Sequence, residues 1–457
     1  MCSNIEFIMD SPNRATSILR TAFVIVLSAS LFVSPLVRME GEPLGFIKWS
    51  VAQCSLVMLV ALLAAYWLFA RQMRIYSSPI AIPLLALLVF SALSVLWASP
   101  RFESITRLRH ILLSWGPLFA CLLAPLNRRH RMIATGAFVA GVTLVSVLGI
   151  AQYLGGLRTI WQELPWEPEL GRRAFATMWN PNFLAGLLVL ALPVIWAWLR
   201  TVANTTGRLL LSAAFCVNFA CLLFTNSWGG WVAFAVSLVF WTVSMGIARR
   251  RRRRELPARK RRSAPSARRS WDKGAIAVGL ICALFAIVFF AAKGQTVAGS
   301  SEGLSERDKM YRSTVRLIKE HPLGLGIGNF AVYENKYHHD YLKPSSDLTE
   351  TWRKDKDSLL HNSFYCHNEL LETALELGFV GVALLIWFVI CACRPAFDDT
   401  WHGREGRADS ATIEGIMATA VCTGAVAVFV QSFVSYPLRV PTTVTSLAVL
   451  MLSLIHI

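Results

Sequence analysis

Apolar runs of about 17 to 25 residues, the length a helix needs to cross a hydrocarbon core, recur at 17–37, 49–70, 79–98, 110–126, 132–154, 181–200, 208–226, 229–248, 274–292, 369–393, 412–433 and 440–457. Read as helices, they predict an all-α polytopic membrane protein of about twelve transmembrane spans. The polar intervals are short except at 155–180, 249–273 and 293–368, so the chain divides into five parts. Spans one to five occupy 1–154, a first external loop 155–180, and spans six to nine 181–292 with a basic loop at 249–273. A large external loop at 293–368 and the C-terminal spans at 369–457 follow. The first span leads into Arg38-Met-Glu-Gly-Glu without a small-residue cleavage site, and is therefore read as retained rather than as a signal peptide.

Composition agrees with the pattern. Hydrophobic residues are 55% and charged residues 16% of 457, with mean hydropathy +0.49, values outside the range of water-soluble globular chains. Charge then sets orientation. Arg71 and Arg74, Arg128, Arg129 and Arg131, Arg200 and Arg208, and the run Arg249 to Arg254 fall in alternate loops, which the positive-inside rule assigns to the cytoplasm together with the N-terminus. The loop 249–273 holds thirteen Lys/Arg against Glu255 and Asp272, most of the net +17. Lying between two spans, it reads as a topogenic stop touching anionic lipid rather than as a nucleic-acid site.

The loop 293–368 carries eleven Lys/Arg against ten Asp/Glu and is long enough to fold locally. Met310, Tyr311, Thr314, Val315 and Ile318 recur at near-helical spacing, predicting a helix over 305–320 on or near the membrane surface. Pro322-Leu-Gly324-Leu-Gly326-Ile-Gly328 ends it, and alternate glycines allow either a tight turn or close approach to a ligand. Of ten cysteines, Cys54, Cys121, Cys216, Cys221, Cys282 and Cys422 lie inside spans as small packing residues. Cys391 and Cys393 end a span with no ligand partners at zinc-site spacing. No disulfide framework, metal or cofactor is predicted. Cys366 beside His367 lacks the base-and-orienter pattern of a thiol nucleophile.

No phosphate loop, dinucleotide fingerprint or metalloprotease helix occurs. The remaining candidates are Arg172 and Arg173 before the sixth span, Arg307, Arg312 and Arg316 in the long loop, and His321, His338, His339, His361 and His367. His361 and His367 mark the junction of the loop with the tenth span, where an imidazole can take a proton from a hydroxyl at neutral pH. Arginines at a lipid boundary can fork hydrogen bonds onto the phosphates of a lipid-linked substrate. Trp161, Trp166, Trp179, Tyr333, Tyr337 and Tyr341 offer rings either to sugar faces or to an ordinary interfacial belt.

In order along the chain stand Arg173-Ala-Phe-Ala-Thr-Met-Trp-Asn180-Pro181-Asn182, Thr225-Asn-Ser227-Trp-Gly229-Gly, Arg307, His321-Pro322-Leu-Gly324-Leu-Gly326, His367-Asn368 and Glu376-Leu-Gly378. This order, over roughly 170–435, resembles the O-antigen ligase and Wzy-type polymerase superfamily. The resemblance implies a GT-C-like inner-membrane glycosyltransferase, independent of metal, with its site on a large periplasmic loop. It implies His367 as the group activating an acceptor hydroxyl, Arg307 and Arg173 holding the pyrophosphate of an undecaprenyl-linked glycan donor, and Arg172, Arg312, Asn182 and Gly326 as further substrate contacts. Glu372 or Glu376 would orient the imidazole, or only cap water or pack. The family commonly has arginine after the serine of the turn at 225–229, where this chain has Trp228; another arginine, for instance Arg172, would have to serve.

The expected acceptor is lipid A core, with repeat polymerisation or protein O-glycosylation as alternatives; membrane lipids are partners and nucleic acid is not. A transporter of lipid-linked glycans is the alternative from another class. It would place ionisable groups near the midplane of several spans, whereas most spans here are uncharged through their centres. The closing Leu452-Ser-Leu-Ile-His-Ile457 resembles adapter read-through, so the natural chain is expected to continue beyond about residue 451.

Overall fold

The computed structural model describes residues 14–38, 46–70, 76, 78–155, 173–255, 300–334, 365–397 and 408–451. The predicted ninth span, Arg172, His338, His339, His361 and most of the surrounding loop lie outside them. Twelve α-helices are described: α1 Arg14–Leu36, α2 Phe46–Ala70, α3 Ala81–Ser94, α4 Arg101–Leu122, α5 Arg128–Tyr153, α6 Pro181–Thr201, α7 Thr205–Thr225, α8 Trp228–Glu255, α9 Ser300–Glu320, α10 Glu369–Cys393, α11 Ala408–Gln431 and α12 Pro441–Leu450. Among the described residues there is no strand. Among the described residues eight helices are long and apolar enough to cross a membrane. With α3 and α12 as shorter apolar helices, the chain is an all-α polytopic membrane protein.

Burial sorts these helices. In α6 almost every residue from Leu184 to Ile195 is buried, as expected for a helix apolar on all sides at the centre of a bundle. It packs between α7 and α11, while α8 covers α11, α1 packs on α2 and α5, α3 on α10, and α12 on α4. The outer helices turn Ile18, Val57, Leu85, Val239 and Ile390 outward, the apolar perimeter a lipid solvent favours. The short loops fall on two ends. At one, Arg131 in the first turn of α5 meets Glu414 of α11 at 3.8 Å. At the other meet the turns that begin α4, α6, α8, α10 and α12.

Helix α9 begins five residues before the predicted 305. Its apolar stripe, Met310, Thr314 and Leu317, runs at i, i+4 and i+7 and packs with Leu325, Phe330, Cys366 and Leu375. Val315, expected on that stripe, is exposed. The glycine-rich turn explains itself through α10. Gly378 breaks that helix with φ 65° and ψ −167°, which frees carbonyls one turn earlier. Leu325 N donates to Leu375 O at 2.9 Å and Gly326 N to Glu376 O at 2.8 Å, so the turn satisfies the carbonyls that the kink leaves behind. A Cβ on Gly324 would stand 2.5 Å from Glu376 O, and one on Gly378 2.5 Å from Pro322 O. Both residues have positive φ, so this contact requires glycine twice over.

Candidate active site

The motifs singled out from sequence are largely helix caps at one end of the bundle. Asn180 caps α6, its Oδ1 accepting Asn182 N at 2.8 Å, with Pro181 at the first helical position, where a missing N–H costs nothing. Asn226 ends α7 in the left-handed region. Ser227 opens α8, its Oγ accepting Gly230 N at 3.3 Å. Asn368 caps α10, its Oδ1 accepting Leu370 N and Leu371 N at 3.0 and 3.1 Å. Polar caps meeting at one end leave their spare atoms to bond one another.

Two clusters result. In the first, Arg173 Nε donates to Thr225 O at 2.9 Å, and Nη2 to Asn226 O at 3.2 Å and Asn182 Oδ1 at 3.4 Å. Ser227 Oγ donates to the same Asn182 Oδ1 at 2.7 Å, and Gln431 Nε2 to Asn182 O at 2.7 Å. A guanidinium therefore stands at the turn where the resemblance lacks its arginine, supplied by Arg173; Trp228 itself is exposed. Arg38 lies 4.7 Å over the ring of buried Trp179 beside this cluster.

The second cluster surrounds His367, a non-glycine residue held at φ 55°, a conformation that persists only where its surroundings impose it. Its carbonyl accepts a hydrogen bond from Tyr311 Oη at 3.2 Å. Its ring lies 5.0 Å from that of Tyr436, which packs tilted at 4.4 Å against Tyr365 and edge-on at 4.9 Å against Phe183. Phe183 directly follows Asn182. The Tyr436 ring thus joins the histidine to the arginine–asparagine cluster, and residues as far apart in sequence as Arg173 and Tyr436 line one region.

Beneath the histidine lies the group the sequence reading missed. Arg439, between α11 and α12, is bonded by Glu369 at 3.1 Å, Glu376 at 3.1 Å and Glu372, all four side chains nearly fully buried. Burial opposes the guanidinium's charge, yet the three carboxylates hold its pKa well above the ordinary arginine value. The carboxylates recur at i, i+3 and i+7 on one face of α10, and two lie in its first turn, where the helix dipole favours negative charge. Tyr365 sits between two cations, 5.3 Å from the Arg107 guanidinium and 5.7 Å from that of Arg439.

The other predicted residues fall as follows. Arg307 lies on α9; only its backbone is described. Arg312 is exposed on the same helix beside Arg316 and Lys319. Gly326 is buried against Ala98, with its N–H given to Glu376 O, so here it serves packing. Glu372 and Glu376 bond Arg439 and backbone N–H groups, Cys366 N at 2.8 Å and Phe330 N at 3.4 Å. Cys366 is fully buried, and burial, with Glu372 adding to it, pushes its thiol well up; a thiolate nucleophile is disfavoured there. His321 is exposed with its ring 6.2 Å from Tyr333. Among the described residues no three His, Cys, Asp or Glu side chains converge as metal ligands.

Sequence offered one signal for Arg439 and its partners. A lone arginine in the proline-flanked Tyr436-Pro-Leu-Arg439-Val-Pro441, on the side where positive charge is disfavoured, demands a carboxylate, and three stand in an otherwise apolar span. Which would meet which needed the fold.

Residues 211–386 match the family model described as O-antigen ligase. The match runs from within α7 through the Ser227 turn, α9, the glycine turn, His367 and the kink of α10. No curated protein matches the chain.

Proposed function

We propose that this chain, whose residues 211–386 match the family model described as O-antigen ligase, a match that supports a lipid-linked glycan transferase, is an inner-membrane glycosyltransferase. It moves a glycan from undecaprenyl pyrophosphate to an acceptor hydroxyl at the periplasmic face. The observation that carries this reading is the meeting of His367 with the Arg173–Asn182 cluster across Tyr436 and Phe183. A proton acceptor and an anion-binding group share one end of a lipid-facing bundle.

The chemistry needs little more. A glycosyl pyrophosphate carries its own leaving group, so transfer requires removal of the acceptor proton and stabilisation of the charge left on the pyrophosphate. His367 takes the proton from the acceptor hydroxyl as its oxygen bonds the anomeric carbon and the bond to the pyrophosphate oxygen breaks. Arg173 and Arg307 hold the departing pyrophosphate, Arg172 and Arg312 supply further contacts to the substrate, and Asn182 fixes Arg173. Attack from the face opposite the leaving group inverts the anomeric centre. The polyprenyl tail stays in lipid between the outer helices. None of these steps calls on a metal.

Lipid A core is the acceptor we favour, which makes the reaction a ligation. A second lipid-linked repeat would make it a polymerisation, and a protein hydroxyl a protein glycosylation. The test is transfer from purified undecaprenyl-pyrophosphate glycan in nanodiscs, with chelator, offering each acceptor in turn. Transfer by the unaltered chain, lost in His367→Ala and Arg307→Ala, is expected. Full transfer in His367→Ala would end the role given to the imidazole, and folded protein inactive towards all three acceptors would favour transport.

A further inference from the structure

The Arg439 cluster is more than a buried ion pair. One guanidinium takes a carboxylate on each of its three nitrogens, from Glu369, Glu372 and Glu376. Two of those carboxylates reach onward. Glu372 Oε2 accepts the backbone N–H of Cys366, the residue before His367, at 2.8 Å. Glu376 Oε1 accepts Phe330 N at 3.4 Å in the turn that repairs the kink. Glu369 N donates to Ser432 O at 2.8 Å, and Gln431, the neighbouring residue, bonds Asn182. Arg439 also flanks Tyr365, whose ring packs tilted against Tyr436, against which the imidazole lies.

From these contacts we infer that Arg439 is a positioning residue for His367. Through Glu372 it fixes the backbone just before the histidine, and through Tyr365 and Tyr436 it fixes the surface on which the ring rests. The strained backbone of His367 at φ 55° is held from one side by Tyr311 and from the other by this network. A Lys at 439 would keep the charge but present it as a point rather than a planar fork, and cannot bond three carboxylates in the same plane. Arg439 lies outside the segment matched by the family model, 211–386. The inference rests on His367 being the proton acceptor, and the experiment separates the two.

Arg439→Lys and a neutralised variant, Arg439→Met with Glu369→Gln, Glu372→Gln and Glu376→Gln, are reconstituted in nanodiscs and checked for folding by thermal unfolding. The neutralised variant removes the charges together, so no buried carboxylate is left unpartnered. Two quantities are read: the rate at which diethyl pyrocarbonate labels His367, with exposed His321 as internal reference, and the kcat and donor KM for transfer from undecaprenyl-pyrophosphate glycan. The expected result in folded variants is an altered labelling rate at His367 alone, and a kcat lower by on the order of 10- to 100-fold with donor KM unchanged. Labelling of His367 unchanged from wild type, or kcat unchanged, overturns the inference. Retained transfer in His367→Ala instead removes the base reading, and labelling still reports whether Arg439 fixes the ring.

Discussion

Arg173 and Arg439 stand at the same end of the bundle and are held in opposite ways. The hydrogen bonds described for Arg173 end on uncharged oxygens, two backbone carbonyls and an asparagine amide. Those of Arg439 end on three carboxylates. Among the contacts described, one arginine is oriented by uncharged oxygens and the other is tied to carboxylates, which make it a joint between elements. The same side chain thus meets two kinds of partner at one end of one fold.

The comparison breaks most sharply through stability. Arg439→Ala strands three buried carboxylates, and a loss of about 3–5 kcal/mol is expected, seen as collapse of the monodisperse fraction in detergent and a lowered unfolding temperature. His367→Ala should leave folding intact while transfer falls on the order of 10²- to 10⁴-fold. In the unaltered protein transfer should decline on acidification, because a protonated imidazole cannot accept the acceptor's proton. Arg173→Ala loses its hydrogen bonds to two backbone carbonyls and to Asn182, so a stability cost of about 1–3 kcal/mol is expected. Its main effect should be a higher donor KM, and the opposite outcome, a large loss of folding with donor KM unchanged, would make Arg173 a second joint.

Smaller effects sharpen the same picture. Gly378→Ala forces a side chain into positive φ against Pro322 O, and a loss of about 1–3 kcal/mol is expected in thermal unfolding. Cys366→Ala should leave the transfer rate unchanged, since its thiol is buried and its backbone N–H, which the substitution keeps, makes the bond to Glu372. A rate that falls with it would bring the thiol into the chemistry.

Much of the fold was legible because a lipid solvent simplifies the code: long apolar runs must be helices that satisfy their own backbone. The caps were not read as caps: Asn180-Pro181 and His367-Asn368 stand where spans begin, but entered only as motifs of a resemblance. The glycines at 324, 326 and 328 left two readings open, a turn or a ligand contact, and the kink at Gly378 decided for a turn packed on α10. Glu372 and Glu376 were weighed as orienters of the imidazole or as packing; they bond Arg439 instead, a residue 63 to 67 positions away that no local pattern ties to them. Tyr365, Tyr436 and Arg107 were likewise invisible, because aromatic and basic residues are common wherever spans meet water.

The sequence by itself determined that this chain spans a membrane as helices, which loops share a side, and where a histidine meets the lip of a span. Hydrophobic length and charge bias act locally, so they can be read locally. Only the tertiary structure decided which arginine meets the uncharged oxygens of helix caps and which is locked among carboxylates, because that depends on which helix ends converge. In a buried, low-dielectric junction the nearest partner within about 3 Å sets the role of a charge, and no spacing along the chain records it.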